Sequence, residues 1–190
     1  DYQIFPKFAV SVFGNDTVLY VASRGITGDD PNTPNFSLKV FRKVGTSVPG
    51  SGTDPAWQMV LLDTSSNCTQ ELSTDPTSST VAVVWTKYAN GDITGGTGDD
   101  VWYAKSANGA AGTWTKTNLT NLTLTSDFSP WTIVSAMFDS QGKLHIVFPA
   151  TDLSTGGGWN SIICKLWHWS EQDNTRWLVY DATWPLSSVC

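Results

Sequence analysis

The residues best equipped for chemistry in this chain of 190 residues sit in its loops. Trp159 stands in the run Gly156-Gly157-Gly158-Trp159-Asn160, and Trp131 follows Ser129-Pro130. A glycine run offers an indole no regular packing, so such a ring is free to meet a ligand. The apolar face of an indole suits the apolar face of a sugar, while amides and carboxylates take its hydroxyls. Asn160, Asp92 and Asp99 are the polar groups placed for that role. For each tryptophan the competing reading is a contact that anchors its loop. Acid–base chemistry is the other option these loops present. Asp29, Asp30, Asp92, Asp99, Asp100 and Asp152 all fall in or near them, and a pair of carboxylates serves glycoside hydrolysis. Aspartates in glycine-rich loops equally serve turn formation. No residue is assigned a catalytic role.

Other chemistries find less support. His145 and His168 lie in strand-like runs with no nucleophile elbow beside them, which speaks against a serine or cysteine triad. No Cys/His spacing resembles a zinc site, so no metal ligand is assigned. Asn90-Gly91-Asp92 and Gly98-Asp99-Asp100 offer oxygens of the kind calcium takes, but no glutamate closes the loop as in an EF-hand. The expectation is therefore no cofactor, with calcium as the alternative. No glycine-rich phosphate loop precedes a helix, because no helical periodicity persists anywhere.

Composition narrows the partners. The formal charge is −6, and arginine occurs only at 24, 42 and 176, with no basic cluster. Nucleic acid and anionic membrane surfaces are thus poor partners. No apolar run reaches the roughly 18 residues that span a bilayer. The chain opens Asp-Tyr-Gln-Ile-Phe-Pro with no signal peptide, as a mature secreted form would. Sequons at Asn15, Asn35, Asn67, Asn118 and Asn121 fall in expected turns and loops and point to a secreted glycoprotein. Three cysteines leave an odd thiol. A Cys68–Cys190 bridge is the simplest pairing, with Cys164 buried in a strand; a link from Cys190 to another chain is the alternative.

These loops need a scaffold, and the scaffold shows as a weak repeat of about sixty residues. The three units run approximately 8–63, 69–117 and 132–182 in one continuous domain. Abundant Thr, Val, Trp and Ser, with Glu only at 71 and 171, favour strands. Period-two runs predict strands at Phe8–Phe13, Thr17–Ser23, Phe36–Lys43 and Trp57–Asp63 in the first unit. The second unit has Thr69–Ser73, Val81–Tyr88, Asp100–Lys105 and Thr113–Thr117. The third has Thr132–Phe138, Lys143–Phe148, Ser161–Trp169 and Arg176–Asp181. Tyr20, Trp85 and Phe148 align, as do Trp57, Trp114 and Trp177, which are expected in the core. Long polar connections follow every second strand, so they share one end of the scaffold, where binding sites usually lie.

The turn Ser106-Ala107-Asn108-Gly109, followed by Gly112-Thr113-Trp114, resembles the Asp-box hairpin, S-x-D-x-G-x-T-W, of sialidase-like and fungal-lectin-like propellers. Asn108 stands where the aspartate is usual. The third unit keeps Ser170, Asp173 and Trp177, and the first keeps Asp54 and Trp57. The resemblance implies architecture, since Asp-boxes are structural. It also sets this chain apart from the sialidases, which grip a carboxylate with three arginines and use a Tyr/Glu pair. Here Arg24 is the nearest arginine, and Glu71 is the glutamate near the looped end. The expected fold is an all-β propeller of four-stranded antiparallel blades, three per chain; a β-sandwich is the alternative. Three blades do not close a ring, which implies a second chain, either another copy or a processed partner. The expected function is a secreted, lectin-like glycan-binding propeller. The alternatives are a glycoside hydrolase or polysaccharide lyase of sialidase-like architecture, and a purely structural or protein-interaction propeller.

Overall fold

Alternating apolar and polar residues become strands in all three units of the computed structural model. It describes residues 2–13, 15–27, 35–45, 57–64, 66–88, 99–122, 128–130, 133–152 and 165–181, several strand-end residues by backbone alone. The described residues contain thirteen strands and no helix. Strands β1 (Tyr2–Phe13), β2 (Asp16–Thr27), β3 (Asn35–Val44) and β4 (Gln58–Asp63) form sheet 1 in chain order. Sheet 2 follows the same order in β5 (Ser66–Thr74), β6 (Val81–Tyr88), β7 (Asp99–Ser106) and β8 (Thr115–Asn118). Sheet 3 contains β10 (Ser135–Phe138), β11 (Leu144–Asp152), β12 (Lys165–Ser170) and β13 (Thr175–Asp181), with β9 (Phe128–Pro130) also paired to β11. All pairings are antiparallel.

Sheet 2 lies between the other two. Val81, Val83 and Trp85 on one side of β6 share a core with Val18, Tyr20, Ala22, Leu38, Val40 and Leu62 of sheet 1. Ala82 and Val84, on the opposite side of the same strand, pack with Leu144, Ile146, Phe148 and Trp169 of sheet 3. This explains why β6 reads Val-Ala-Val-Val-Trp: a strand buried on both faces has no polar face to alternate with. β5 is the strand through which sheet 2 meets both neighbours, touching β1, β2 and β3 on one side and β10 on the other. The outward faces differ. On sheet 1, Phe8, Val12, Met59 and Leu61 are 50–67% exposed. On sheet 3, Met137, Trp177 and Tyr180 are 39–64% exposed.

Four expectations are corrected. Phe128–Pro130 is a strand rather than part of a loop. It is three residues long and ends in proline, which only an edge position tolerates, and its partner is the far half of β11. β5 begins at Ser66, so Asn67 and Cys68 lie in a strand and not in a loop. Tyr20 is not the counterpart of Trp85 and Phe148: it faces sheet 2, whereas those two residues face the preceding sheet. Trp177 is 39% exposed on the outward side of sheet 3, because Ser170↔Thr175 pairing sets it opposite His168. Trp114, by contrast, packs against the core between sheets 1 and 2.

Candidate functional site

The strand register puts the connections after β2, β6 and β11 at one end of the molecule, with the turns before β2, β6 and β11 at the other. Asp99 opens β7 opposite Tyr88, at the looped end; its side chain lies outside the described residues. Asp92, Trp131, Trp159, Asn160 and Cys190 also lie outside them. The chain around them is informative nonetheless. Pairing of β9 with β11 sets Pro130 opposite Ala150 and Phe128 opposite Asp152. The strand that leads into Trp131 therefore lies beside the strand that leads into the segment holding Trp159.

The first strand of every sheet is interrupted in its looped half. In β1 the register shifts between Ile4 and Lys7, opposite Arg24 and Ala22. In β5 it shifts between Ser66 and Gln70, opposite Lys87 and Trp85. In sheet 3 a longer break, between two separate strands, divides Pro130, opposite Ala150, from Ser135, opposite Val147. Extra residues at such breaks leave the ladder and turn their side chains elsewhere. Phe5, the first residue of its break, is 56% exposed and has φ +53°, a backbone conformation that costs an aromatic residue about 1–3 kcal/mol. It is held there from the neighbouring sheet: Gln70, 2% exposed, donates its side-chain amide to Phe5 O. Trp131 follows Pro130 at the end of β9 in the sequence and lies outside the described residues. The recurring break was illegible in the sequence, since nothing in a period-two pattern reports the partner strand's register.

Two buried carboxylates near this end, Asp100 and Asp63, are already engaged. Asp100, 4% exposed, accepts from Thr120 Oγ1 at 2.6 Å, Leu122 N at 2.7 Å and Asn118 Nδ2 at 2.9 Å. It organises the 118–122 turn. Asp63, 8% exposed, accepts from Trp85 Nε1 at 3.1 Å and Thr64 N at 2.7 Å and pairs with Lys87 Nζ at 3.2 Å. Lys87 also lies over the Trp102 ring, 5.2 Å from its centre. Sequence reading missed this Asp63–Lys87–Trp85–Trp102 cluster; the only signal was a Trp and a Lys two apart on β6. Glu71 pairs with Lys7 at 3.1 Å. Arg24 is 4% exposed within β2 and not at its end. Among the described residues, no group of three or more His, Cys, Asp or Glu could hold a metal ion.

At the opposite end the turns carry dense hydrogen bonding. Ser106 Oγ accepts from Gly109 N at 2.7 Å and lies 2.5 Å from Thr113 Oγ1. Asn108 Oδ1 accepts from Ala110 N at 3.0 Å and Thr113 Oγ1 at 3.2 Å. Gly109 has φ +70°, and a Cβ there would lie 2.3 Å from the Tyr20 ring. In sheet 3 the matching turn puts Asn174 at φ +48°. Asp139, His145 and His168 form a chain on the outward side of sheet 3. His145 Nε2 is 3.2 Å from Asp139 Oδ2, and its Nδ1 is 2.9 Å from His168 Nε2. With both rings neutral, His168 Nε2–H donates to His145 Nδ1 and His145 Nε2–H donates to the carboxylate, a tautomer assignment drawn from the bonding pattern. Both nitrogens of His145 are thereby committed, which leaves none to activate a serine.

The remaining sequence positions fall as follows. Asn15 is exposed in the β1–β2 turn, and Asn121 is exposed at φ +46°. Asn35 opens β3, and Asn67 and Cys68 lie in β5, where side chains are outside the described residues. Asn118 ends β8 and bonds Asp100 and Asn121 N through its side chain. No protein-family model matches the chain, and no curated protein matches it.

Proposed function

We propose that this chain is a secreted, lectin-like module whose sheets are three blades of a propeller and which holds glycans through aromatic and polar groups at the looped end. The observation that carries this reading is the break recurring in the first strand of all three sheets. It displays Phe5 in one unit, and in another the chain leaves β9 at Pro130, directly before Trp131 in the sequence. An aromatic face beside loop amides and carboxylates is the arrangement that sugar rings fill. Trp131, Trp159, Asn160, Asp92 and Asp99 supply that surface in this reading. The engaged state of Asp63 and Asp100 favours binding over hydrolysis. A propeller is favoured over a sandwich because the two cores lie on opposite faces of sheet 2. Two sheets in a sandwich each bury one face only. The turn at Ser106–Thr113 supports the Asp-box likeness through its serine and asparagine bonds. The exposure of Asn15 and Asn121 suits glycosylation.

A glycan array followed by calorimetry tests the reading. The expected result is binding without release of reducing ends, weakened at least tenfold by Trp131→Ala and measurably by Phe5→Ala. Release of reducing ends would favour the glycoside hydrolase or lyase. Absence of binding and turnover would leave a structural or protein-interaction propeller.

A further inference from the structure

His145 and His168 sit diagonally on neighbouring strands: His145 is opposite Ser170 on β12, and His168 is opposite Val147 on β11. Their ring centres are 5.1 Å apart, the ring planes differ by 4°, and His145 Nδ1 is 2.9 Å from His168 Nε2. Centres that far apart, with nitrogens that close, require both nitrogens to lie on the line joining the centres. The rings are therefore coplanar and edge to edge, and the N–H···N bond between them is straight, the geometry that best hands over a proton. On its other edge His145 Nε2 is 3.2 Å from Asp139 Oδ2. Asp139 is itself fixed, because its Oδ1 accepts from Gln141 N at 2.8 Å and Lys143 N at 2.9 Å. Beyond His168 lies the Trp177 ring of β13, 5.4 Å away and tilted by 24°. One row thus crosses the β10–β11 turn, β11, β12 and β13. At its end His168 Nδ1 is a lone pair with no partner among the described residues.

We propose that this row is a proton relay that makes sheet 3 respond to acid in two stages, storing one proton with every bond intact and breaking at the histidine–histidine bond on the second. In the neutral row His168 Nε2–H donates to His145 Nδ1, and His145 Nε2–H donates to Asp139. The first proton enters at His168 Nδ1. The proton between the rings then crosses to His145 Nδ1, which leaves His168 neutral and sets the charge beside the Asp139 carboxylate. One proton has entered and one has crossed; both hydrogen bonds survive, the inner one reversed. A second proton has no such place. It binds His168 Nε2, so two N–H groups face each other at 2.9 Å between two cations. The bond is lost, the rings part, and His168 leaves its place beside Trp177.

The groups on every adjoining element fit this order. Among the described residues, β10 sets Met137 opposite His145, and β12 sets Ser170 there. Lys143 is exposed beside Asp139, and Asp173 is exposed in the turn after β12. On β13, Arg176 shares a rung with Trp169, whose ring faces sheet 2. Tyr180 and Asp181 lie past the bulge, on rungs with Leu166 and Lys165. Glu171 is turned to Lys105 and Leu144 N. Asp139 is the one described carboxylate bonded to the row, and it stabilises a single cation. Burial, and then the charge of His145, hold His168 below its ordinary 6.5, which places the second stage in the acid range. The relay stands whether or not the looped end binds a sugar.

Nitrogen NMR of the imidazoles in the full wild-type chain, followed from neutral to acid pH, tests the relay. Both rings should shift in each of two steps, at least about one pH unit apart, as a coupled pair does. The Trp177 indole N–H signal should hold through the first step and move in the second. Asp139→Asn should lower the first step. His145→Gln should leave His168 with a single step, displaced upward. The wild-type steps and the Trp177 signal decide the matter even where a variant misfolds. Two rings that titrate independently, each indifferent to loss of the other, would overturn the relay. So would a Trp177 signal that moves with the first proton, or a first step unmoved by Asp139→Asn.

Discussion

At the first junction, Tyr20 Oη and Arg42 Nε both donate to Asn108 O, at 3.1 and 2.8 Å, clamping the β7–β8 turn onto sheet 1. At the second junction, Lys105 Nζ reaches Glu171 Oε1 at 2.6 Å, and Glu171 Oε2 accepts from Leu144 N at 3.0 Å. The geometry recurs: a cation of one sheet meets the third-to-fourth strand turn of the next. The chemistry does not recur. One junction uses a backbone carbonyl and a buried phenol, which burial pushes up in pKa against the nearby Arg42. The other uses a half-exposed ion pair. The close approaches differ too. Gly109 meets the Tyr20 ring, while Gly142, at φ +72°, has Thr77 and Asp75 oxygens where its Cβ would be. The first junction also holds Asp63, Lys87 and Trp85, for which the second has Tyr103 and Trp169 rings 5.3 Å apart. Position in the repeat is therefore preserved while residue identity drifts, which is why the repeat is weak in sequence and plain in register.

This contrast can be broken by mutation, beginning with the largest effect. Trp85→Ala removes a fully buried ring together with its bond to Asp63 and should cost about 3–5 kcal/mol in denaturant unfolding. Trp169→Ala should cost less, because its indole bonds only a turn residue, Asn174, at 3.3 Å; the reverse order would undo the ranking of the junctions. Asp63→Ala strands Lys87 and the Trp85 N–H and should cost about 2–3 kcal/mol, below the full figure for a buried pair since Lys87 remains 24% exposed. Gly109→Ala should cost about 2 kcal/mol, from its left-handed backbone and the Tyr20 contact. Gly112→Ala, at φ +79° with open space around it, should cost about 1 kcal/mol and isolates the backbone part. Glu171→Gln should cost less than about 1 kcal/mol, since its partner is 26% exposed and salt screens the pair. Equal losses for Asp63→Ala and Glu171→Gln would erase the distinction between buried and solvated junctions.

The smallest effect is in pH. Burial, and then the charge of neighbouring His145, hold the His168 imidazole below its ordinary 6.5. The unfolded chain thus binds more protons as pH falls through 6.5, so stability declines from there downward and is unaffected above it. His168→Gln should flatten that part of a melting-temperature profile. Asp139 is held below its ordinary 3.8, first by the Lys143 N–H and also by His145 and Gln141. Its contribution is present above 3.8 and lost only as pH falls below that value.

Much of the scaffold was legible, and for a physical reason. Strands such as Val81–Tyr88 and Lys143–Phe148 declare themselves because side chains alternate across a pleated ladder and turn residues bound them. The turn at Ser106–Thr113 was legible because its serine, asparagine and glycines act locally. What escaped involved partners distant in sequence. β9 depends on the far end of β11, the outward position of Trp177 depends on the Ser170↔Thr175 rung, and Phe5 depends on Gln70. The candidate aromatics at 131 and 159 were chosen by loop chemistry, and what tertiary structure adds is the pairing of their flanking strands.

The sequence by itself determined the strand class, the threefold repeat, the acidic charge and the polarity of the connections, since these follow from local propensity and periodicity. Tertiary structure alone decided which face of each strand meets which neighbour, because a shift of one residue exchanges the two faces without altering the pattern. It set Tyr20 toward sheet 2 and Trp85 back toward sheet 1, buried sheet 2 on both sides, and left an apolar face exposed at each end of the stack.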